Sequence, residues 1–308
     1  MDEESVSVLG AERAVADAVP DEQVVSASRV DAGTNAVYRV ETIENAYFVK
    51  FNTFSGAEIF AAEVEVNRLF ADADLPVPRV YDAVFDPPEG PAYAVVEALP
   101  GESPEQVTPA LAREMGETLR AFATIPPIDG YGRLERDATR SPPLVTRQDT
   151  WPEYLRWYAD VQLSKPAEAL AELVPDVWSV IEETLPGVPR EPDPALVFDD
   201  FRPPNLHVDS GGAIVGVFDL ERTAVGDLRQ ALVNTGYLLT RHPTTDHPER
   251  VRGALSAGFG TDVEGDLRDC YRALAVAREI RAFDVWWDDA VAADRADEVR
   301  VFVDELVA

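Results

Sequence analysis

The chain of 308 residues contains one cysteine, Cys270, and no apolar segment near the roughly 20 residues that a helix needs to cross a bilayer. A lone cysteine cannot form an internal disulfide, and it excludes a cysteine-rich metal site. The N-terminal segment is acidic and has neither the basic start nor the apolar core of a signal peptide. With 46% apolar residues, the sequence predicts a globular protein that is not in the membrane, and we expect a cytoplasmic location.

Lysine is nearly missing, since Lys50 and Lys165 stand against 25 arginines. Aspartate and glutamate number 57 against 27 basic residues, which gives a formal net charge of −30. A surface this acidic repels phosphate backbones, so we expect no nucleic-acid partner. Salt screens the self-repulsion, with a Debye length of roughly 3 Å at 1 M. The acidic excess together with the scarcity of lysine favours adaptation to a high-salt cytoplasm, as in halophilic archaea, over an ordinary acidic protein.

The first hundred residues have the pattern of strands with one inserted helix. Residues 56–71 carry apolar side chains at helical spacing, and the prolines of LPVPRV (75–80) end that helix because proline lacks an amide donor. Segments rich in Val, Tyr and Phe predict strands at residues 24–29, 36–42, 46–51, 77–85 and 92–99. We therefore predict an N-terminal lobe, residues 1–100, with an antiparallel sheet and one helix.

The remainder, residues 101–308, is predicted to be a mainly helical C-terminal lobe. Helices are predicted over residues 108–124, 152–158 and 166–185 and from residue 227 onward. Strands and tight turns interrupt them at residues 195–217, as an inserted β-hairpin region. The sequence thus predicts a bilobal α+β fold, and a cleft between two lobes is a common place for a small-molecule site.

The inserted region, VFDDFRPPNLHVDSGGAIVGVFDLE, carries the most informative polar residues, which are Asp200, Asn205 and Asp219. Phosphoryl transfer needs a group that orients the attacking hydroxyl and Mg²⁺ to neutralise charge on the phosphates. Magnesium takes oxygen ligands from one or two protein side chains together with phosphates and water. These three side chains supply such a set, although Asp and Asn taken singly are also common turn residues.

This pattern resembles the aminoglycoside phosphotransferase and choline kinase superfamily, whose members are small-molecule kinases related to protein kinases. Its His-Gly-Asp-x-x-x-x-Asn loop matches at Asp200 and Asn205, with Pro203 at the family's spacing, and GVFDLE matches its Asp-x-Glu strand end. The resemblance implies a protein-kinase-like fold, ATP and Mg²⁺ as cofactors, and a small-molecule hydroxyl acceptor. It implies that Asp200 is the catalytic base and that Asn205 and Asp219 are metal ligands. Asp199 competes for the base role, but Asp200 has the matching spacing.

The resemblance extends to the N-terminal lobe and makes it the nucleotide-binding part. Lys50, at the end of AYFVK, resembles the strand lysine that pairs with the ATP phosphates, and Glu63 resembles the carboxylate that orients it. Glu65 is the alternative, about 200° away on an ideal helix, so at most one of the two faces the cleft. Gly33 in DAGTN resembles a shortened phosphate-covering loop. Glu97 begins EALPG, which resembles the segment whose backbone pairs with adenine.

Four positions depart from the family pattern. The His and Gly before the catalytic Asp are Phe198 and Asp199, and an acidic position after Gly-Asp is Ala231. Arg202 stands where relatives carry His or Lys, and we expect it to contact the transferred phosphate. These departures leave open a non-catalytic nucleotide-binding regulatory protein, and the acidic cluster leaves open a phosphohydrolase. We expect a small-molecule hydroxyl acceptor and a monomer or a weak homodimer.

Overall fold

The computed structural model describes residues 6–30, 34–73, 75–124, 128–245 and 247–308. Its strands are β1 Val24–Val30, β2 Ala36–Thr42, β3 Ala46–Phe51, β4 Val80–Val84, β5 Tyr93–Glu97, β6 Gly132–Arg133, β7 Glu135–Arg136, β8 Leu144–Val145, β9 Ala195–Phe198, β10 Leu206–Val208, β11 Ile214–Val217 and β12 Thr223–Gly226. Its α-helices are α1 Val8–Ala18, α2 Ala57–Asp72, α3 Pro109–Ala121, α4 Trp151–Leu163, α5 Val174–Thr184, α6 Leu228–Thr240, α7 Pro248–Phe259, α8 Gly265–Trp286 and α9 Ala292–Val307.

The chain forms two compact units, and neither is continuous in sequence. The first unit comprises Met1–Glu105, Leu134–Val145 and Pro203–Thr223. The second unit comprises Gln106–Arg133, Thr146–Arg202 and Ala224–Ala308. The β10–β11 hairpin therefore belongs to the same unit as the N-terminal sheet, although more than a hundred residues separate them in sequence.

The first unit contains a five-stranded antiparallel sheet in the order β1-β2-β3-β5-β4. Strand β2 buries alternate residues, as the period of two of an extended chain requires. Helix α2 packs on the sheet through Phe60 and Val64, which contact Ala92 and Ala94. This sheet and the helical second unit confirm the predicted α+β fold.

A further helix in the first unit, α1, was not predicted from the sequence. The Ser7 side chain accepts a hydrogen bond from the Gly10 N–H and caps its first turn. Ala11, Ala14 and Val15 are buried against the apolar cluster that β2 and β3 share. Small alanine side chains at helical spacing form a weak signal in an acidic segment, so the helix depends on this packing for its stability.

The second unit has its core around the 22-residue helix α8, with α4, α5 and α9 packed against it. A three-stranded sheet in the order β6-β12-β9 completes it, and all four residues of β9 are buried. The helix predicted over residues 166–185 is divided, since Glu168–Leu173 is a 3₁₀ segment that precedes α5. None of the described helices combines the length and the apolar composition that crossing a bilayer requires.

Candidate active site

The side chains of Lys50 and Glu63 form an ion pair within the first unit. Lys50 Nζ lies 2.7 Å from Glu63 Oε1 and 2.8 Å from Oε2, so the ammonium group contacts both carboxylate oxygens. The Glu63 side chain is 7% exposed and that of Lys50 is 21% exposed, so the carboxylate is buried while the ammonium group still meets solvent. Such a pair fixes a long, flexible lysine in one position.

Glu65, the alternative to Glu63, is also buried but has other partners. Its Oε1 lies 3.0 Å from Arg136 Nε and 3.1 Å from Arg68 Nη1. It therefore ties α2 to the β7 segment of the same unit. The helical angle between positions 63 and 65 places the two carboxylates on different sides, as expected.

Two further carboxylates act on Lys50. Asp219 Oδ1 lies 3.9 Å from Lys50 Nζ, and the Asp219 side chain remains 39% exposed. Burial alone would lower the pKa of Lys50, but the charges of Glu63, Asp219 and Glu221 outweigh burial and raise its pKa. The lysine is therefore a permanent cation within a cluster that has a surplus of negative charge.

The backbone of Asp219 is unusual, because its φ of 60° lies in the left-handed region, which non-glycine residues rarely adopt. Two contacts hold the neighbouring residues. The Val217 N–H donates to the Pro76 carbonyl at 2.7 Å, and the Ser55 hydroxyl donates to Glu221 Oε2 at 2.5 Å. A strained position that its surroundings maintain is typical of functional sites. The Pro76 contact also gives LPVPRV a structural role.

Asn205 and Asp219 lie at the same end of one hairpin. Asn205 comes directly before β10, Asp219 follows β11 closely, and Leu206 pairs with Val217. The Phe218 N–H donates to the Asn205 carbonyl at 2.9 Å, which extends the ribbon by one contact. The antiparallel pairing thus brings together the two predicted metal ligands, fourteen residues apart in sequence.

The donor set fits a metal ion that is bound together with a nucleotide. Over the described part of the chain, no group of three His, Cys, Asp or Glu side chains could hold a metal. Asn205 and Asp219 provide two oxygen-bearing side chains, and Mg²⁺ in nucleotide sites takes its remaining ligands from phosphates and water. The exposed Asp219 carboxylate and the negative surplus around it suit a divalent cation.

The Glu97–Gly101 segment runs from the five-stranded sheet to the β10–β11 hairpin of the same unit. The Glu97 N–H donates to the Arg79 carbonyl, and the Ala98 N–H donates to the Ala46 carbonyl. Gly101 has a φ of 87°, and a Cβ there would lie 2.6 Å from the Val208 carbonyl oxygen, so this turn requires glycine. The predicted adenine-binding segment is therefore fixed on both sides. Gly33 lies outside the described residues.

Asp200 lies in the second unit and is buried between two arginines. Arg278 Nη2 donates to Asp200 Oδ1 at 2.9 Å, and Arg202 Nε lies 3.0 Å from the same oxygen. The Arg278 side chain is 5% exposed and that of Arg202 is 33% exposed. Trp286 lies under both guanidinium groups, at 5.0 Å and 5.8 Å from its ring centre.

Asp199, the competitor for the base role, makes contacts that position the loop. Its carboxylate accepts from Gln230 Nε2 at 3.3 Å. Its carbonyl accepts from Asn234 Nδ2 at 2.6 Å and also from Arg278 Nη1. The preceding Phe198 is buried, with its ring against those of two other phenylalanines, Phe122 and Phe201. The position where the family has His is therefore an apolar packing position here.

A sequence model described as the phosphotransferase enzyme family matches residues 26–296. The chain belongs to this phosphotransferase family. No curated protein sequence matches it.

Solved structures share the fold of this family member at low sequence identity. Aminoglycoside phosphotransferase APH(4)-Ia is 19% identical, with a TM-score of 0.73 over 96% of this chain and 97% of that chain. A structure described as a fructosamine-3-kinase from Haemophilus somnus is 14% identical, with a TM-score of 0.68 over 97% and 98%. A structure from Ralstonia eutropha described as an aminoglycoside phosphotransferase is 15% identical, with a TM-score of 0.67 over 99% and 97%.

Sequence reasoning on this phosphotransferase missed the side chains that surround the Asp200 loop. Arg278, Gln230 and Asn234 come from helices α6 and α8, 31 to 79 residues further along the chain. One signal was present, since Arg278 and Glu279 interrupt the apolar stretch ALAVAREI of a helix that is otherwise buried. A charge in such a position requires a partner.

Proposed function

We propose that this chain is an ATP-dependent kinase that transfers the γ-phosphate to a hydroxyl group of a small molecule. Lys50, oriented by Glu63, contacts the ATP phosphates, and the backbone of Glu97–Gly101 pairs with adenine. Asp200 orients the acceptor hydroxyl, and Arg202 contacts the transferred phosphate. Asn205 and Asp219 are the side chains that would hold Mg²⁺, which supplies charge neutralisation on the phosphates.

The observation that carries the proposal is the cluster of Lys50, Glu63 and Asp219. One of two lysines in the whole chain is held by a buried carboxylate, next to an aspartate in a left-handed backbone conformation. A compact point charge suits phosphate oxygens, and a partly exposed carboxylate beside it suits a metal on the same phosphates. A purely structural ion pair would not need Asp219 in that conformation.

The solved relatives support the same chemistry. An APH(4)-Ia variant is described as a ternary complex with AMP-PNP and hygromycin B, and another as a complex with ADP and hygromycin B. Nucleotide and small-molecule acceptor are therefore bound together in a protein of this fold. The acceptor of this chain is a separate question, because one fold serves many acceptors.

The test is ATP consumption with a panel of hydroxylated small molecules in molar KCl, using the wild type, Asp219→Ala and Asp200→Asn. Each variant is expected to lose about a thousandfold in kcat, since a charge-stabilising group or a base is removed. Titration of a fluorescent ATP analogue should show that Asp219→Ala also removes the Mg²⁺ dependence of binding.

The control is Asp209→Asn, at the closed end of the same hairpin. Asp209 is exposed and accepts from the Gly211 and Ala213 N–H groups, which asparagine also allows. Its turnover should stay within about twofold of wild type because it touches no proposed ligand. Full activity in folded Asp219→Ala would end the proposal. Mg²⁺-dependent ATP binding without consumption, across the whole panel, would instead indicate a non-catalytic regulator.

A further inference from the structure

The loop that carries Asp200 is held from outside by three side chains. Gln230 and Asn234 of α6 donate to Asp199, and Arg278 of α8 donates to both Asp199 and Asp200. The two residues before Asp200 are Phe198 and Asp199, where the family pattern has His and Gly. The polar contacts that fix the loop therefore come from α6 and α8.

Arg278 is the member of this set that touches the Asp200 carboxylate. Its guanidinium is buried in the apolar interior of the second unit, which is unfavourable unless its donors are satisfied. One terminal nitrogen donates to the Asp199 carbonyl, the other donates to Asp200 Oδ1, and the Trp286 ring covers the group. The planar guanidinium of Arg278 thus bonds the Asp199 backbone and the Asp200 side chain at the same time. This double contact fixes the Asp200 carboxylate relative to the backbone of its own loop.

Arg202 meets the same carboxylate oxygen in a different way. Its side chain is six times more exposed than that of Arg278, at 33% against 5%. Its Nε is within 3.0 Å of Asp200 Oδ1 but makes no hydrogen bond over the described part of the chain. The Arg202 contact is thus the weaker of the two, and it can exchange Asp200 for another oxyanion.

We propose that Arg278 is a positioning residue that keeps Asp200 oriented while Arg202 leaves it to contact the transferred phosphate. This inference rests on the proposed kinase function. The two roles follow from the difference in burial. The enclosed guanidinium of Arg278 keeps its partners, whereas the more exposed guanidinium of Arg202 can change its partner. Arg278 itself does not touch substrate.

The experiment compares Arg278→Met and Arg278→Lys with wild type in ATP consumption in molar KCl, per mole of folded protein. Arg278→Met is expected to lose about a hundredfold in kcat while KM for ATP changes less than about threefold. Arg278→Lys keeps the positive charge and can still donate to one of the two oxygens. Its kcat is expected to be about tenfold higher than that of Arg278→Met. A residue needed only for folding would lower the folded fraction and leave kcat per folded molecule unchanged.

The matched control is Arg241→Met, which removes another mainly buried arginine of the second unit. Arg241 Nε lies 3.2 Å from the buried Glu279 carboxylate, and its hydrogen bonds, ion pairs and ring contacts in the described part of the chain do not involve residues 199–202. This variant should lose stability as well and keep kcat per folded molecule within about threefold.

Hydrogen–deuterium exchange over residues 195–202 gives a readout that does not depend on any acceptor. Arg278→Met is expected to exchange about tenfold faster there, and Arg241→Met is expected to match wild type. Unchanged exchange together with unchanged kcat in Arg278→Met overturns the positioning role. Asp200→Asn is measured alongside, since full turnover in that variant would refute the role of Asp200 in the proposed function while the exchange data still test Arg278.

Discussion

In the first unit one ammonium group, that of Lys50, lies among the carboxylates of Glu63, Asp219 and Glu221, whereas in the second unit one carboxylate, that of Asp200, lies between two guanidinium groups. The first cluster has a surplus of negative charge, whereas in the second the carboxylates of Asp199 and Asp200 together balance the two guanidinium groups. A negative surplus favours a bound cation, and a partly exposed guanidinium group such as that of Arg202 is open to an incoming anion. We therefore propose that the metal side of the reaction lies in the first unit and that Arg202 of the second unit contacts the transferred phosphate.

The two clusters also differ in the cation that they use. The first has a lysine in a chain that otherwise uses arginine, and the second has arginines only. Lysine is a compact point charge with rotatable donors, whereas arginine is a planar fork that bonds two oxygens at fixed geometry. A swap of each cation for the other tests whether these choices matter.

Lys50→Arg is expected to give the largest effect in this comparison. Arginine keeps the charge but is longer and planar, so it cannot stay between both oxygens of Glu63 and also present a point charge to phosphate. We expect kcat/KM for ATP to fall about a hundredfold. The matched control is Lys165→Arg, the other lysine, which is exposed and should change kcat/KM less than about twofold. Equal activity of both variants would mean that the first cluster needs only charge.

Glu63→Gln sharpens the same point, because it separates the orientation of Lys50 from its charge. Glutamine keeps the shape and one acceptor but removes the ion pair, so we expect about a tenfold loss in kcat/KM and a loss of about 1–3 kcal/mol in unfolding free energy. Glu65→Gln is the control, since it removes an equally buried carboxylate that pairs with Arg136 instead. A stability loss without an activity loss is expected there. The reverse result would transfer the orienting role to Glu65.

Arg202→Lys is the reciprocal swap in the second cluster, and its expected effect is smaller. Lysine keeps a positive charge close to Asp200, and the proposed contact with the transferred phosphate does not require a fork. We expect kcat to fall about threefold in Arg202→Lys and about thirtyfold in Arg202→Met. Steady-state ATP consumption measures both. A loss in Arg202→Lys as large as that in Arg202→Met would show that the planar geometry of arginine is required.

Local pattern was sufficient for the sheet and for the hairpin that carries Asn205 and Asp219, whereas the ligand roles proposed for these two side chains came from the family resemblance. Strands β2 and β3 follow from Val, Tyr and Phe in alternation, and Asn205 and Asp219 follow from their spacing around a hairpin. Helix α1 was missed because alanines in an acidic segment give a weak signal, and its stability depends on the sheet beneath it. Sequence can therefore predict features whose cause is local.

The contacts of Asp200 show where this limit lies. Arg278 is 78 residues away from Asp200, and no spacing rule relates a loop to a helix at that distance. The sequence could show that a charge interrupts an apolar helix, but not which group it pairs with. Sequence spacing does not relate Lys50 to Glu221 either. The charge of Glu221 acts on Lys50 only in the folded first unit, where the Ser55 hydroxyl donates to the Glu221 carboxylate.

Labelling of Cys270 reports on the opening of the second unit, because a thiol this buried reacts only when its surroundings open. The thiol lies on α8, the helix that carries Arg278, and burial raises the pKa of Cys270 to about 11. At pH 8 only about one thiol in a thousand is then ionised, so an aromatic disulfide reagent should react at least about a hundredfold faster after unfolding in urea.

Because salt screens a net charge of −30, raising KCl from 0.1 to 2 M should slow native-state labelling by about tenfold. Labelling that accelerates with salt would contradict the high-salt interpretation of the composition, and rapid labelling at every salt concentration would place Cys270 outside the core that positions Arg278.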